Sequence, residues 1–325
     1  MASTIRFGLI GAGRWGTVYI RTLDALSRRC RLTHLCTSKP ESAGLVPRSV
    51  QVVRDWRALV ASDCDAVIIA TPPDTHAKML EACLDAGKPC IVEKPLCLDA
   101  ATAERMHQHV RKSRVPVLVD HTHLFSSTYA RLKEMLHRTG EPIRLIMSEG
   151  MALGPFRSHT PALWDWAPHD VSLCLDLMGR APGHVDALGG PADPEGDPEM
   201  VSIRLEFSGG SCAWIQAGRC APRKRRNLTV FTDAHLYVWD AYAPEPLTVA
   251  TIDFRARYAG GIAEPMKTSA LKPVSADTPV ARMLTYFVKG LGGGDRTYFG
   301  TALGRDVTRV LAACGAAMKR RVSAS

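Results

Sequence analysis

The chain has 325 residues, more than one compact core usually holds, so two domains are expected. Hydrophobic residues make up 46% and charged residues 22%, the balance of a soluble globular protein, and no apolar run approaches the ~18 residues of a membrane-spanning helix. The formal net charge is +9, but the cations are spread along the chain, and the one dense run, "RKRR" at 223–226, reads as a solvated loop; this points away from nucleic acid and leaves room for an anionic cofactor.

The opening "MASTIRFGLIG" lacks the apolar core of a signal peptide and passes directly into a strand pattern. The ten cysteines show neither a C-x-x-C pair nor a zinc spacing. Reduced thiols and a cytoplasmic location are therefore expected.

In chain order, "IRFGLIG" is a short apolar strand ending at glycines, and "GTVYIRTLDALSR" is a helix with Val18, Ile20, Leu23 and Leu26 near one face. "CRLTHLCTS" is a second strand, "WRALVAS" a short helix, "DAVIIATPP" a third strand and "HAKMLEACLDAGK" a helix closing on Gly87. "PCIVEKP" and "VPVLVDHTH" are further strands around the helix "LDAATAERMHQHVRKS". Short apolar strands alternating with helices predict an α/β domain, a parallel sheet with helices on both faces. Ligands of such sheets bind beyond the carboxyl ends of the strands, where Gly11, Thr71, Lys94 and His121 fall.

The pattern changes after residue 122. The helix "TYARLKEMLHR" precedes longer, partly alternating runs: "IRLIMSEGMAL", "MVSIRLEFSGGSCAWIQAG", "NLTVFTDAHLYVWDA" and "LTVATIDFRARY". Helices are expected at "APHDVSLCLDLMG", at "PVARMLTYFVKGL" and over the last twenty residues, and a turn-rich surface loop at 189–199. With a G-x-G-x-x-G run at Gly11, Gly13 and Gly16 opening the first helix, the expected architecture is a Rossmann dinucleotide-binding domain over 1–122 and an α+β domain over 123–325, with a large open, mostly antiparallel sheet. The last helix is expected to pack back on the first domain.

"GLIGAGRWG" carries a G-x-G-x-x-G spacing at a strand-to-helix junction, the context in which that motif binds a dinucleotide. Gly11 permits the tight turn, Gly13 lets backbone approach a pyrophosphate, and Gly16 allows close helix–strand packing. Arg14 and Trp15 complete the candidate cradle, and amides at the helix start would bind the phosphates. Where an NAD enzyme places an acid for the ribose hydroxyls, this chain has Thr37, Ser38 and Lys39. Hydroxyls and a lysine suit a 2′-phosphate, so NADP is expected ahead of NAD.

A lysine at a strand's carboxyl end, preceded by Glu93 and followed by Pro95, puts an ammonium over the ligand crevice. Further on, Asp165 and His169 are spaced to share a helix face, with Asp165 as N-cap and Pro168 in the first turn. A histidine exchanges a proton near neutral pH and a carboxylate orients it, although the same pair also reads as a helix cap and a buried core imidazole. The His121-Thr122-His123 run is half a metal site with nothing at suitable spacing to complete it, so no metal is expected.

Together, "GLIGAGRWG", "DAVIIATPPDTHAKMLEACLDAGKPCIVEKPLCLDAATAE", "VDHTHLFSSTYARLKEML", "LWDWAPHDVSLCLDLMG" and "YFGTALGRDVTRVLAAC" resemble, in order and spacing, the Gfo/Idh/MocA family. The resemblance implies a nicotinamide-dependent oxidoreductase acting on sugars, cyclitols or their derivatives. It implies that Lys94 contacts the substrate hydroxyl and the nicotinamide region, that His169 is the acid/base and that Asp165 stands beside it. Thr71, Pro72 and His76 resemble the family's strand-end turn beside the cofactor, with Glu93 and Lys94 next to it. The family pattern D-x-G-x-H-x-x-D is altered: Ala167 replaces the glycine, Ser172 the last acid, and Asp170 directly follows the histidine. Candidate substrate contacts are His123, Trp166 and Asp170; Trp164, Phe156 and Arg157 would also wall a sugar pocket. The family's open sheet face is commonly a subunit interface, so a homodimer or homotetramer is expected. Two alternatives stand beside this: an imine or C=C reductase of the same family, and a non-catalytic dinucleotide-binding regulator.

Overall fold

Short apolar strands, each followed by a helix that turns the chain back, can only pair in parallel. In the computed structural model, which describes residues 4–156, 160–252 and 268–322, they do. Strands β1 (Ile5–Ile10), β2 (Cys30–Cys36), β3 (Gln51–Val53), β4 (Ala66–Ile69), β5 (Cys90–Glu93) and β6 (Val117–Asp120) form one sheet in the order β3-β2-β1-β4-β5-β6. Every neighbouring pair is parallel. Helices α1 (Arg14–Ala25), α2 (Trp56–Val60), α3 (His76–Asp85) and α4 (Ala100–Ser113) make the crossovers. All four residues of β4, of β5 and of β6 are buried, as expected for central strands covered on both faces. The three-residue β3 is too short to show a period and escapes sequence reading. In α1 the buried face is Gly16, Tyr19, Ile20 and Leu23, so Tyr19 takes the place expected for Val18 and Leu26 is only partly buried.

The second sheet contains β7 (Leu145–Leu153), β8 (His184–Gly189), β9 (Met200–Glu206), β10 (Cys212–Gly218), β11 (Cys220–Phe231), β12 (His235–Asp240), β13 (Leu247–Thr251) and β14 (Thr268–Ala270). Their order is β14-β13-β12-β11-β7-β10-β9-β8, antiparallel throughout except for β7 with β10. Helix α5 (Ser127–Thr139) leads into this sheet, and α6 (Ala162–Asp165) and α7 (Ala167–Met178) separate β7 from β8. The long α6–α7 crossover is what permits the parallel β7–β10 neighbours. The run 223–226 is not a loop, as its charge suggested, but part of β11. Most of "LTVATIDFRARY" beyond β13, and Arg157, lie outside the described residues.

Two further helices follow, α8 (Pro279–Leu291) and α9 (Ala302–Val322). The chain divides into one unit of Met1–Thr122 with Asp277–Arg309, and another of His123–Ala276 with Val310–Ser325. Thus α8 and the first part of α9 join the parallel-sheet half, not the half in which chain order puts them. Packing explains it: Phe287 of α8 meets Phe7 of β1 at 6.1 Å between ring centroids, and the Gly300 N–H donates to the Val117 carbonyl at 2.6 Å. All ten cysteines are free thiols, most of them buried. No described helix is long and apolar enough to cross a membrane.

Candidate functional site

The glycine run builds a cradle at the point where the strand order reverses, between β1 and β4. Gly11 has φ +100° and stands so close to β4 that a methyl group there would lie 2.5 Å from the Ala70 carbonyl oxygen. A methyl on Gly16 would lie 2.1 Å from the Gly11 carbonyl oxygen, so only glycine lets α1 start against the strand. At Gly13 a methyl would meet no protein atom within 4 Å. Gly13 is also the N-cap of α1 and supplies no side-chain cap, which leaves the helix's first amides to an anion. These features fit a dinucleotide pyrophosphate. Arg14 is exposed and Trp15 half-buried in the first turn of the same helix.

At the end of β2 the chain carries no carboxylate. Thr37 is buried and its Oγ1 accepts the Lys39 N–H at 3.1 Å, so that hydroxyl shapes the turn, while Ser38 and Lys39 are exposed. After β4, the Thr71 hydroxyl lies 2.7 Å from that of Thr75, and Pro72 is exposed. His76, a candidate cofactor neighbour, is enclosed by protein. It is fully buried, with Nδ1 2.9 Å from the Pro95 carbonyl oxygen and Nε2 2.8 Å from that of Thr71, so it clamps the turn after β4 to the segment after β5. Burial pushes its imidazole below the usual range.

Lys94, partly exposed, follows β5 directly. Glu93, the residue before it, is buried and bonded to Tyr19. His121 is fully buried beyond β6, and neither ring nitrogen finds a hydrogen-bond partner among the described residues. Burial and the Lys94 cation push its titration down to about 3, so it is neutral at physiological pH. Among the described residues no three His, Cys, Asp or Glu side chains gather as a metal site.

In the second unit, α6 ends at Asp165 and α7 begins at Ala167 with Pro168 in its first turn. Asp165 is therefore not the N-cap of the helix that carries His169, and the two residues sit on successive helices joined at Trp166. The Asp165 carboxylate is held by Arg219, whose Nη2 lies 3.4 Å away and whose Nη1 donates to Glu199 at 2.9 Å. Arg219 is 1% exposed and donates further to the Thr160 carbonyl. His169 is buried and its ring meets His123 edge-to-face, with centroids 4.8 Å apart; His123 in turn meets Trp239 at 6.1 Å. Trp166 is half-buried, and its indole N–H has no hydrogen-bond partner among the described residues.

Asp170, a candidate substrate contact, is enclosed by protein in this structure. It is completely buried, Arg226 Nη1 donates to both its oxygens at 2.8 and 2.9 Å, and the Ser148 hydroxyl donates at 2.6 Å. Gly150 makes room for the pair, since a methyl there would lie 2.3 Å from Asp170 Oδ2. This lock fixes the first turn of α7 on β7 and β11; stranding either charge would cost about 3–5 kcal/mol. Phe156 is exposed.

Residues 5–121 match the oxidoreductase family model described as having an NAD-binding Rossmann fold. A crystal structure of an oxidoreductase from Magnetospirillum magnetotacticum MS-1 is 36% identical, superposes with a TM-score of 0.85, and covers 96% of this chain and 100% of its own. The chain belongs to the Gfo/Idh/MocA oxidoreductase family. As a member it is a nicotinamide-dependent oxidoreductase. Relatives of this Gfo/Idh/MocA protein include an inositol 2-dehydrogenase of Rhizobium meliloti (strain 1021), 29% identical over 67% of this chain and 70% of the relative. Another is the UDP-N-acetylglucosamine 3-dehydrogenase of Acidithiobacillus ferrooxidans, 26% identical over 79% of each chain.

Sequence reading of this Gfo/Idh/MocA chain missed Tyr19, Asp120, Glu199, Arg219 and Arg226. One signal was available: Arg226 alternates in phase with the buried Leu228 and Val230 of β11, which marks it as inward. Arg219, alone between two strands, carries no such mark.

Proposed function

We propose that this enzyme interconverts a hydroxyl and a ketone on a cyclitol, sugar or sugar derivative. The observation that carries the proposal is Lys94 at the carboxyl end of β5, on the same edge of the parallel sheet as the glycine cradle after β1. A bound nicotinamide dinucleotide supplies or accepts the hydride. Gly11, Gly13 and Gly16 admit its pyrophosphate against the α1 amides. Lys94 stabilises negative charge on the reacting oxygen, and His169 takes or returns its proton. Asp165, anchored by Arg219, keeps a fixed negative charge near the start of α7, and His123 and Trp166 line the substrate side. The inositol and nucleotide-sugar dehydrogenases among the relatives support this substrate class. The Lys94 and His169 pair is not required for imine or C=C reduction, and a pure regulator has no use for it.

NADP is the preferred cofactor in this proposal, because exposed Ser38 and Lys39 stand where a carboxylate would repel a 2′-phosphate. The test is a screen of inositols, sugars, sugar acids and nucleotide sugars, followed by nicotinamide absorbance with both cofactors. NADPH should bind more tightly than NADH, and Lys39→Ala should weaken NADPH alone by roughly ten- to a hundredfold, the worth of a charge-assisted hydrogen bond. Equal affinity for NADH, or no turnover of any polyol, sinks the corresponding half of the proposal.

The enzyme is also proposed to be a homodimer or homotetramer. Across the outer face of the second sheet, register aligns Asp186, Arg204, Trp214, Met147, Thr229 and Val238 in one row. Trp214 and Met147 at its centre remain 52% and 48% exposed, and Leu188 nearby 50%, an exposed apolar cluster of the kind that a subunit interface covers. Light scattering at micromolar concentration should give a dimer or larger, and Trp214→Glu should shift it towards monomer. A wild-type monomer refutes the interface.

A further inference from the structure

Behind the glycine cradle lies a buried polar network that none of the proposed chemistry uses. Tyr19, on the inner face of α1, brings its hydroxyl to 3.1 Å from Glu93 Oε1 at the end of β5, and into a short hydrogen bond with Asp120 Oδ2 at the end of β6. The Thr122 hydroxyl donates to the other Asp120 oxygen at 2.9 Å. Tyr19 and Asp120 are 0% exposed and Glu93 4%. Two carboxyl groups thus converge on one phenol, inside the protein.

The proton count decides what this network carries. A phenol has one proton and donates to one carboxyl; a hydrogen bond to the second requires that carboxyl to bring its own proton. Asp120 already accepts from Thr122 and takes the shorter Tyr19 bond, so it is the ionised member. Glu93 is then the acid that donates to the Tyr19 oxygen. Two buried carboxylates would also repel one another in a desolvated site, a cost that protonation of one removes. Resting on the reading of Lys94 as the oxygen-polarising residue, we propose that Glu93 and Asp120 have one proton between them, linked through the neutral Tyr19 phenol, so that the three carry one net negative charge that holds Lys94 as an ammonium. These are positioning residues: none need touch substrate.

The electrostatic surroundings agree. Burial drives Glu93 well above the usual carboxylate range and Asp120 upward, while the Lys94 cation draws both back. The same cation lowers His121, beyond β6, and His76, on α3; both are neutral and offer Lys94 no counter-charge. The attraction between Lys94 and both carboxyl groups makes the shared charge of the network a counter-ion for Lys94.

The test combines infrared spectroscopy with pH–rate profiles. Wild-type enzyme near pH 7 should show the carbonyl band of a buried protonated carboxyl that shifts in D2O and disappears in Glu93→Gln. Each single variant keeps one charge: Glu93→Gln retains Asp120, and Asp120→Asn lets Glu93 ionise. Either should move the alkaline limb of turnover only slightly. The double variant removes the charge, and the limb should fall by about 1–3 pH units, the shift expected when an opposite charge is lost. Absence of the infrared band in the wild type, or additive single effects in the profiles, overturns the proposal. The band does not depend on activity, so a failure of the Lys94 role, read from Lys94→Ala, remains distinguishable from a failure of the network.

Discussion

His169→Ala is expected to lower turnover by about 10²–10⁴-fold, the usual worth of a positioned acid/base, and to remove an ionisation near neutral pH from the rate profile. The imidazole sits in the first turn of α7, and that turn is fixed independently of it. Asp170, the next residue, is locked to Arg226 and Ser148, and the Ser172 hydroxyl donates to the His169 carbonyl. Removing the ring therefore deletes a proton carrier without releasing the helix, and dinucleotide affinity, measured by fluorescence titration, should stay near wild type. Retention of full turnover with an unchanged pH profile would reduce His169 to a packed core residue. Asp170 could not replace it, because both its oxygens are engaged and it is completely buried. His123, whose ring lies against His169, would be the next residue to substitute.

Lys94→Ala is expected to cost about 10²–10³-fold in turnover, as loss of one preorganised electrostatic stabiliser typically does. The effect should fall on kcat more than on KM if the ammonium acts on charge that develops during reaction. Cofactor affinity should change modestly, since in the proposed binding mode the pyrophosphate rests on backbone amides at a different strand end. Turnover within a few-fold of wild type would remove Lys94 from the mechanism and leave the oxygen without a cation from the first unit. Steady-state kinetics with the polyol identified by the screen separates the outcomes.

Both effects depend on placements that were visible to different degrees in the amino-acid order. The cradle was legible because its demands are local. Gly11 needs a positive φ and Gly16 must lie against the Gly11 carbonyl, contacts made within a few residues of one strand–helix junction. The parallel sheet was legible for a similar reason, since short strands such as "AVII" are apolar on both faces. Lys94 could be placed over the crevice because in a parallel sheet every strand's carboxyl end opens to the same side.

What the order of residues could not supply was the identity of partners. Asp165 was read as a helix cap because capping is a local habit of aspartate, yet its charge is engaged by Arg219, 54 residues away. Glu93 and His76 were read as cofactor contacts because they flank the crevice in sequence. The fold turns one towards Tyr19, 74 residues away, and buries the other between two backbone carbonyls. The charge of "RKRR" suggested solvent, and three of its residues are exposed, but strand register turns Arg226 inward onto Asp170, 56 residues away. Local rules suffice where backbone conformation and apolar period leave one choice: the glycine turns, most of the strands and helices, and the strand-end position of Lys94. Which buried charges meet is settled by packing, because a carboxylate in the interior is satisfied by whichever donor the fold brings within about 3 Å, and periodicity along the chain can mark a residue as inward but not name its partner.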